Sequence, residues 1–162
     1  MYMFVFLVVL AAVLFAQANH RSQNISPVRP EEKNKALVRR FYEEVWQKGN
    51  LAVADEIFAA DYIRHDPRGG PPVPGPEGQK QIAAAFRKAM PERQTTIDLM
   101  MAEGDLVAAR WTMRGKHLPS GKQVEFVGVN IFRIANGKVV ELWNHRDDLG
   151  FQQQIGQLAA PK

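Results

Sequence analysis

Hydrophobic positions along this chain follow three regimes. Residues 1–18 (MYMFVFLVVLAAVLFAQA) are apolar at every position but Gln17 and carry no charged side chain. From Pro30 the spacing is helical: Leu37, Phe41 and Val45 recur every four residues, and Val38, Tyr42 and Trp46 widen them into one apolar face. Pro30 suits a first helical position, Glu31 and Glu32 suit the positive end of the dipole, and Gly49-Asn50 closes the helix. A short second helix carries Leu51, Ala54, Ile57 and Phe58, and 61–66 is extended up to Pro67. The run 67–76 (PRGGPPVPGP) is a loop, and a third helix from Pro76-Glu77 carries Ile82, Ala85, Phe86 and Met90 as far as Pro91. Beyond it the period drops to two, which predicts strands at 93–102, 105–117, 122–134 and 138–147. Their separators are turn-like, and Asn136-Gly137 is a hairpin signal.

Three helices followed by an antiparallel meander predict an α+β domain, with the helices on one face of the sheet. The strands are long for a flat sheet: thirteen residues at about 3.3 Å each span roughly 43 Å. A strongly curved sheet wrapped around the three N-terminal helices solves this, with Gly128 as a bend or bulge. Such a cone has an open mouth, and that mouth is the expected pocket.

The apolar start ends in Ala16-Gln17-Ala18, the small-x-small pattern of a signal-peptidase site. As a helix, Tyr2–Ala16 reaches about 22 Å, short of the ~30 Å hydrocarbon core of a bilayer. The expectation is a secretory signal at 1–18 cleaved near Ala18, a flexible leader at 19–29 and a domain at 30–158, hence an exported protein. No Lys or Arg precedes the apolar run, so membrane anchoring by an uncleaved leader is the alternative. Asn24-Ile25-Ser26 matches a glycosylation sequon.

Composition narrows the chemistry. The 162 residues contain no cysteine, which excludes thiol nucleophiles, thiolate metal sites and disulfides. The net charge of +4 is interspersed, with Lys33, Lys35, Arg39 and Arg40 beside Glu31, Glu32, Glu43 and Glu44, so no nucleic-acid stripe is expected. No phosphate-binding glycine loop and no GxSxG nucleophile turn occur in the sequence.

Five segments, in order and spacing, carry a resemblance. They are NKALVRRFYEEVWQKGNLAVADEIFAADYIRHDP at 34–67, GPEGQKQIAAAFRKAMP at 75–91, AEGDLVAARWTMRGKH at 102–117, GKQVEFVGVNIFRIANGKVVELW at 121–143 and DDLGFQQQIG at 147–156. Together they resemble the SnoaL-like polyketide cyclase, or ester cyclase, branch of the NTF2-like superfamily. The resemblance implies an NTF2-like cone enclosing an apolar cavity, a homodimer through the outer face of the sheet, and no metal or cofactor. It also implies an aldol-type cyclisation or ketone enolisation driven by one acid/base aspartate just after the last strand's Trp. Here that stretch reads Trp143-Asn144-His145-Arg146-Asp147-Asp148, and the matching carboxylate is Asp147, with Asp148 adjacent. His145-Arg146 departs from the acidic or apolar pair expected there.

A carboxyl in an apolar cavity is a competent proton carrier, because desolvation raises its pKa toward working pH. Asp147 is therefore the candidate acid/base; the alternative is that it caps the helix beginning at Asp148-Leu149 or pairs with Arg146 at the surface. His65 is the candidate partner, orienting a substrate oxygen or sharing a proton. Substrate-binding candidates are Asp66 at the cavity mouth, Asn130 in an otherwise apolar strand, the Tyr42 hydroxyl, His145, and Trp111 and Trp143. His65, His145 and Asp147 lack the tight spacing of a metal site, so no metal is expected. An Arg–Asp pair for epoxide hydrolysis fails at Arg110-Trp111-Thr112, where Thr takes the acid's place. The expected ligand is a small, mostly apolar carbonyl compound; the alternative is an exported, non-catalytic carrier or sensor with the same cavity.

Overall fold

The computed structural model describes residues 29–69 and 74–159. The expected signal at 1–18, the leader up to residue 28 and the tip of the Pro/Gly loop lie outside the described residues.

Helix α1 (Pro30–Arg40) opens with Pro30, Glu31 and Glu32 as the dipole argument requires. It continues into a π-helical stretch, Phe41–Lys48, whose buried residues are Phe41, Tyr42, Val45 and Trp46. Gly49, left-handed at φ +78°, ends it. A 3-10 turn (Leu51–Val53) and the single-turn helix α2 (Ala54–Ile57) lead into strand β1 (Phe58–His65). Helix α3 (Gly75–Ala89) follows the Pro/Gly loop. Strands β2 (Gln94–Glu103), β3 (Leu106–His117), β4 (Lys122–Ala135) and β5 (Lys138–Arg146) then form the meander, and helix α4 (Asp148–Ile155) closes the domain.

The sheet is curved and open, in the order β1-β5-β4-β3-β2. It is mixed rather than purely antiparallel, because β1 adds to the edge parallel to β5. The chain between those two strands passes through α3 and three other strands, which supplies the long crossover that a parallel pair needs. Val124, Phe126, Gly128, Asn130, Phe132 and Ile134 of β4 face the helices. Phe41 anchors the interface, meeting Phe58 and Phe132 edge-on at 5.2 and 5.8 Å between ring centroids.

Gly128 is not a bulge: β4 runs in register through it, with Trp111 opposite on β3 and Arg146 opposite on β5. The extra residues sit elsewhere. Asp98 is the additional residue in β2, between the Ile97–Trp111 and Leu99–Arg110 pairs. Val140 is the additional residue in β5, between the Ile134–Val139 and Arg133–Glu141 pairs. A residue inserted into one strand exchanges the faces of everything beyond it.

Candidate active site

Between the helices and the concave face of the sheet lies a small hollow of about 20 Å³. Its walls are mainly aromatic and aliphatic: Trp46 from the π-helical stretch, Ile82 and Phe86 from α3, Trp111 and Met113 from β3. These side chains stand close together, leaving a slot with room for roughly one ordered water.

Tyr42, Thr95, Asn130 and Asn144 supply neutral polar groups, and Arg64, Arg68 and Arg146 supply charge. The Asn130 amide donates to the Tyr42 hydroxyl across 3.0 Å, tying helix to sheet. Burial pushes the Tyr42 phenol well above its usual range, against the lowering effect of that hydrogen bond. Tyr42 therefore stays protonated, and its O–H is a fixed neutral donor.

Asp66 is the carboxylate most tightly bound to this lining. Its Oδ2 accepts from Arg64 Nη2 at 3.1 Å and from Asn144 Nδ2 at 3.3 Å, and its Oδ1 from Arg68 Nε at 2.8 Å. Burial alone would raise its pKa, but the Arg68 and Arg64 guanidiniums and the Arg68 backbone N–H together hold it well below the usual carboxylate range. Arg146 pairs with Asp148 and lies over the rings of Phe86, Phe126 and Phe151, at 5.3, 5.5 and 5.2 Å from their centroids. Burial lowers its pKa and the bond to Asp148 works against that.

Of the residues singled out from sequence, Tyr42, Trp111 and Asn130 line the hollow and Asp66 is hydrogen-bonded to its wall. Asp147, His65, His145 and Trp143 lie outside it. Asp147 is exposed and caps α4, its Oδ1 accepting from Gly150 N–H at 2.8 Å, so the capping alternative describes its place. His65 lies on the outer face of the sheet, stacked on Trp143 at 5.0 Å between centroids, with Nε2 3.9 Å from Glu141. His145 is exposed on that face as well.

One cause explains three of these displacements. Extended without interruption from the hairpin, β5 would set Trp143 opposite Asn130, and His145 would share the inward face. The extra residue Val140 shifts the register so that Asn144 opposes Asn130 and Arg146 opposes Gly128. Trp143, His145 and Asp147 turn outward with it. On β1, strand alternation takes Arg64 inward and His65 outward.

Sequence reasoning missed Arg64, Arg68, Arg146, Asn144, Trp46 and Thr95. Asn144 carried a legible signal, a polar residue two positions after the core residue Leu142. The arginines carried none, since an arginine in a chain of mixed charge is usually on the surface. Among the described residues, no group of three or more His, Asp or Glu is gathered as metal ligands would be.

The profile of the SnoaL-like polyketide cyclase family matches residues 36–155. A protein from Bacillus cereus ATCC 10987, described as a polyketide cyclase, is 30% identical with a TM-score of 0.70 over 78% of this chain and 83% of its own. A SnoaL-like polyketide cyclase from Jannaschia sp. CCS1 is 26% identical, TM-score 0.72, over 86% of this chain and 99% of its own. One from Acidithiobacillus ferrooxidans, also described as a polyketide cyclase, is 28% identical, TM-score 0.69, over 83% and 100%. No curated protein sequence matches the chain. A family match spanning most of the chain, joined to the same curved-sheet architecture, places this protein in the SnoaL-like polyketide cyclase family, with the NTF2-like fold and a cyclase- or isomerase-type role.

Proposed function

We propose that this protein is a cofactor-free enzyme that enolises a small, mostly apolar carbonyl compound and, where the substrate carries a second carbonyl, closes a ring by aldol addition. One observation carries the reading. Four buried polar atoms without a partner, Trp46 Nε1, Thr95 Oγ1, Trp111 Nε1 and Asn130 Oδ1, belong to residues that line the hollow. Buried polar groups are nearly always satisfied, so orphans around a slot the size of one water mark the place where the carbonyl oxygen of a ligand would satisfy them.

The two indole N–H groups and the Tyr42 O–H are donors for a carbonyl oxygen and for the negative charge it gains on enolisation. Asp66 is the proton acceptor in this reading, in place of Asp147. Its carboxylate takes a proton from the carbon beside the carbonyl, and the C–H electron pair becomes the enolate. The enolate carbon then attacks the second carbonyl, and the resulting alkoxide recovers the proton from Asp66. Arg64 joins the two ends of this system, bonded to Asp66 and close enough for its charge to act on Tyr42.

The test is α-proton exchange of a ketone such as 2-tetralone in D2O, followed by proton NMR. The expected result is exchange above buffer that falls by about 100-fold or more in Tyr42→Phe and Asp66→Asn but survives in Asp147→Asn. Equal exchange in wild type and Asp66→Asn overturns the assignment.

A second reading is an exported carrier with the same cavity, and the state of Asp66 favours it. A carboxylate held this low by two guanidiniums is a weak base unless Arg68 turns aside. Binding of the ketone without exchange selects this reading. A homodimer fits either one: Leu99, Met101 and Val129 are exposed apolar side chains on the outer face of the sheet.

A further inference from the structure

Arg68, Phe86 and Arg146 line the inner hollow and also a second, more open cleft of about 290 Å³ between α3 and α4, where His117 and Phe151 form part of the wall. They therefore stand at the junction between the two spaces. That junction holds Arg64, Arg68 and Arg146 against Asp66 and Asp148, through contacts of Arg64 and Arg68 with Asp66 and of Arg68 and Arg146 with Asp148. The cluster is one cation in excess.

Both guanidiniums that line the two spaces keep a spare donor. Arg146 spends Nε and Nη2 on Asp148, and Arg68 spends Nε and Nη2 on Asp66. Among the described residues, neither Nη1 has a hydrogen-bond partner, and the Arg146 side chain is only 10% exposed. The two guanidiniums are near enough for Arg68 to act on the charge of Arg146. Three aromatic rings around Arg146 lower the local dielectric, which strengthens any pairing made there.

We infer that the ligand carries a carboxylate, bound at this junction by Arg68 and Arg146 while its apolar body occupies the outer cleft beside Phe86, Met90 and Phe151. A planar monoanion matches both the single excess charge and the flat, forked donors of arginine. The inference rests on the small-molecule reading above and narrows its substrate class from a neutral carbonyl compound to a keto acid. It also gives Arg68 a reason to leave Asp66. An incoming carboxylate competes for that guanidinium, and the Asp66 oxygen it vacates becomes more basic.

The test compares 2-naphthoate with its methyl ester by isothermal titration calorimetry at low ionic strength. The expected result is that wild type prefers the acid by about tenfold or more. Arg68→Gln and Arg146→Gln should each bring the ratio of acid to ester affinity to about one. Two variants are used because Arg146 also packs against three rings, whereas Arg68 is partly exposed. Equal binding of acid and ester by wild type, or an acid preference that survives in both variants, overturns this inference and leaves the small-molecule reading intact. Binding of neither probe overturns both.

Discussion

Gly128→Ala is the sharpest test of how the hollow is built. A Cβ on Gly128 would sit 2.3 Å from Trp111 Cζ2, 2.7 Å from Trp111 Cε2 and 2.7 Å from the His145 carbonyl oxygen. Carbon contacts are comfortable at about 3.5–4.0 Å, so the indole must retreat by more than 1 Å. The carbonyl is a harder obstacle, because it belongs to β5, and β5 is hydrogen-bonded to β4. Overpacking of this kind costs about 1–3 kcal/mol, and the involvement of backbone puts Gly128→Ala at about 2–3. For a domain of this size, that is a fall in Tm of about 6–12 °C. Thermal unfolding followed by circular dichroism at pH 7 reads it directly. The same substitution in a Trp111→Leu background should cost about 1 kcal/mol less, since the indole is half of the clash. A Tm within 2 °C of wild type, or an equal cost in both backgrounds, would refute the packing argument.

Other perturbations separate the remaining claims. Tyr42→Phe strands the Asn130 amide, already unpaired at Oδ1, and should cost about 1–3 kcal/mol in urea unfolding; adding Asn130→Val should restore much of that. Asp66 is depressed in the folded state, so its contribution is complete above the unfolded value of about 3.9 and drains away as pH falls through the folded value. The Tm gap between wild type and Asp66→Asn should accordingly be level from pH 7 down to about pH 5 and narrow below about pH 4; a gap independent of pH contradicts the ion-pair account. Val129→Glu places a charge in the middle of the outer face and should shift sedimentation from dimer to monomer without lowering Tm by more than about 1 °C. A wild-type monomer at micromolar concentration removes the dimer.

The fold was legible because its signals were redundant. Each meander strand had an alternating pattern and a turn residue at its end, so β2 to β5 fall within two residues of the expected bounds. The parallel pairing of β1 was not legible, since nothing local in FAADYIRH distinguishes it from a hairpin partner. The site divided along similar lines. Tyr42 and Asn130 were recognisable as polar groups at apolar-period positions, which must find partners. Asp147 is the residue the resemblance points to, just after the last strand's Trp, but the extra residue turns it and His145 outward, and Val140 is a valine like any other in a strand. The arginines escaped because burial of a charge is a property of the partners it meets, and Arg64, Arg68 and Arg146 meet theirs only in the folded chain.

That single surplus residue near the Asn136-Gly137 hairpin acts as a selector for the whole C-terminal strand. Deleting Val140 would offer the cavity an indole and an imidazole in exchange for an amide and a guanidinium, with every other strand left in place. Length variation in one short hairpin is thus a route to new interior chemistry on this scaffold, open to evolution and to protein engineering alike, and it requires no substitution inside the pocket.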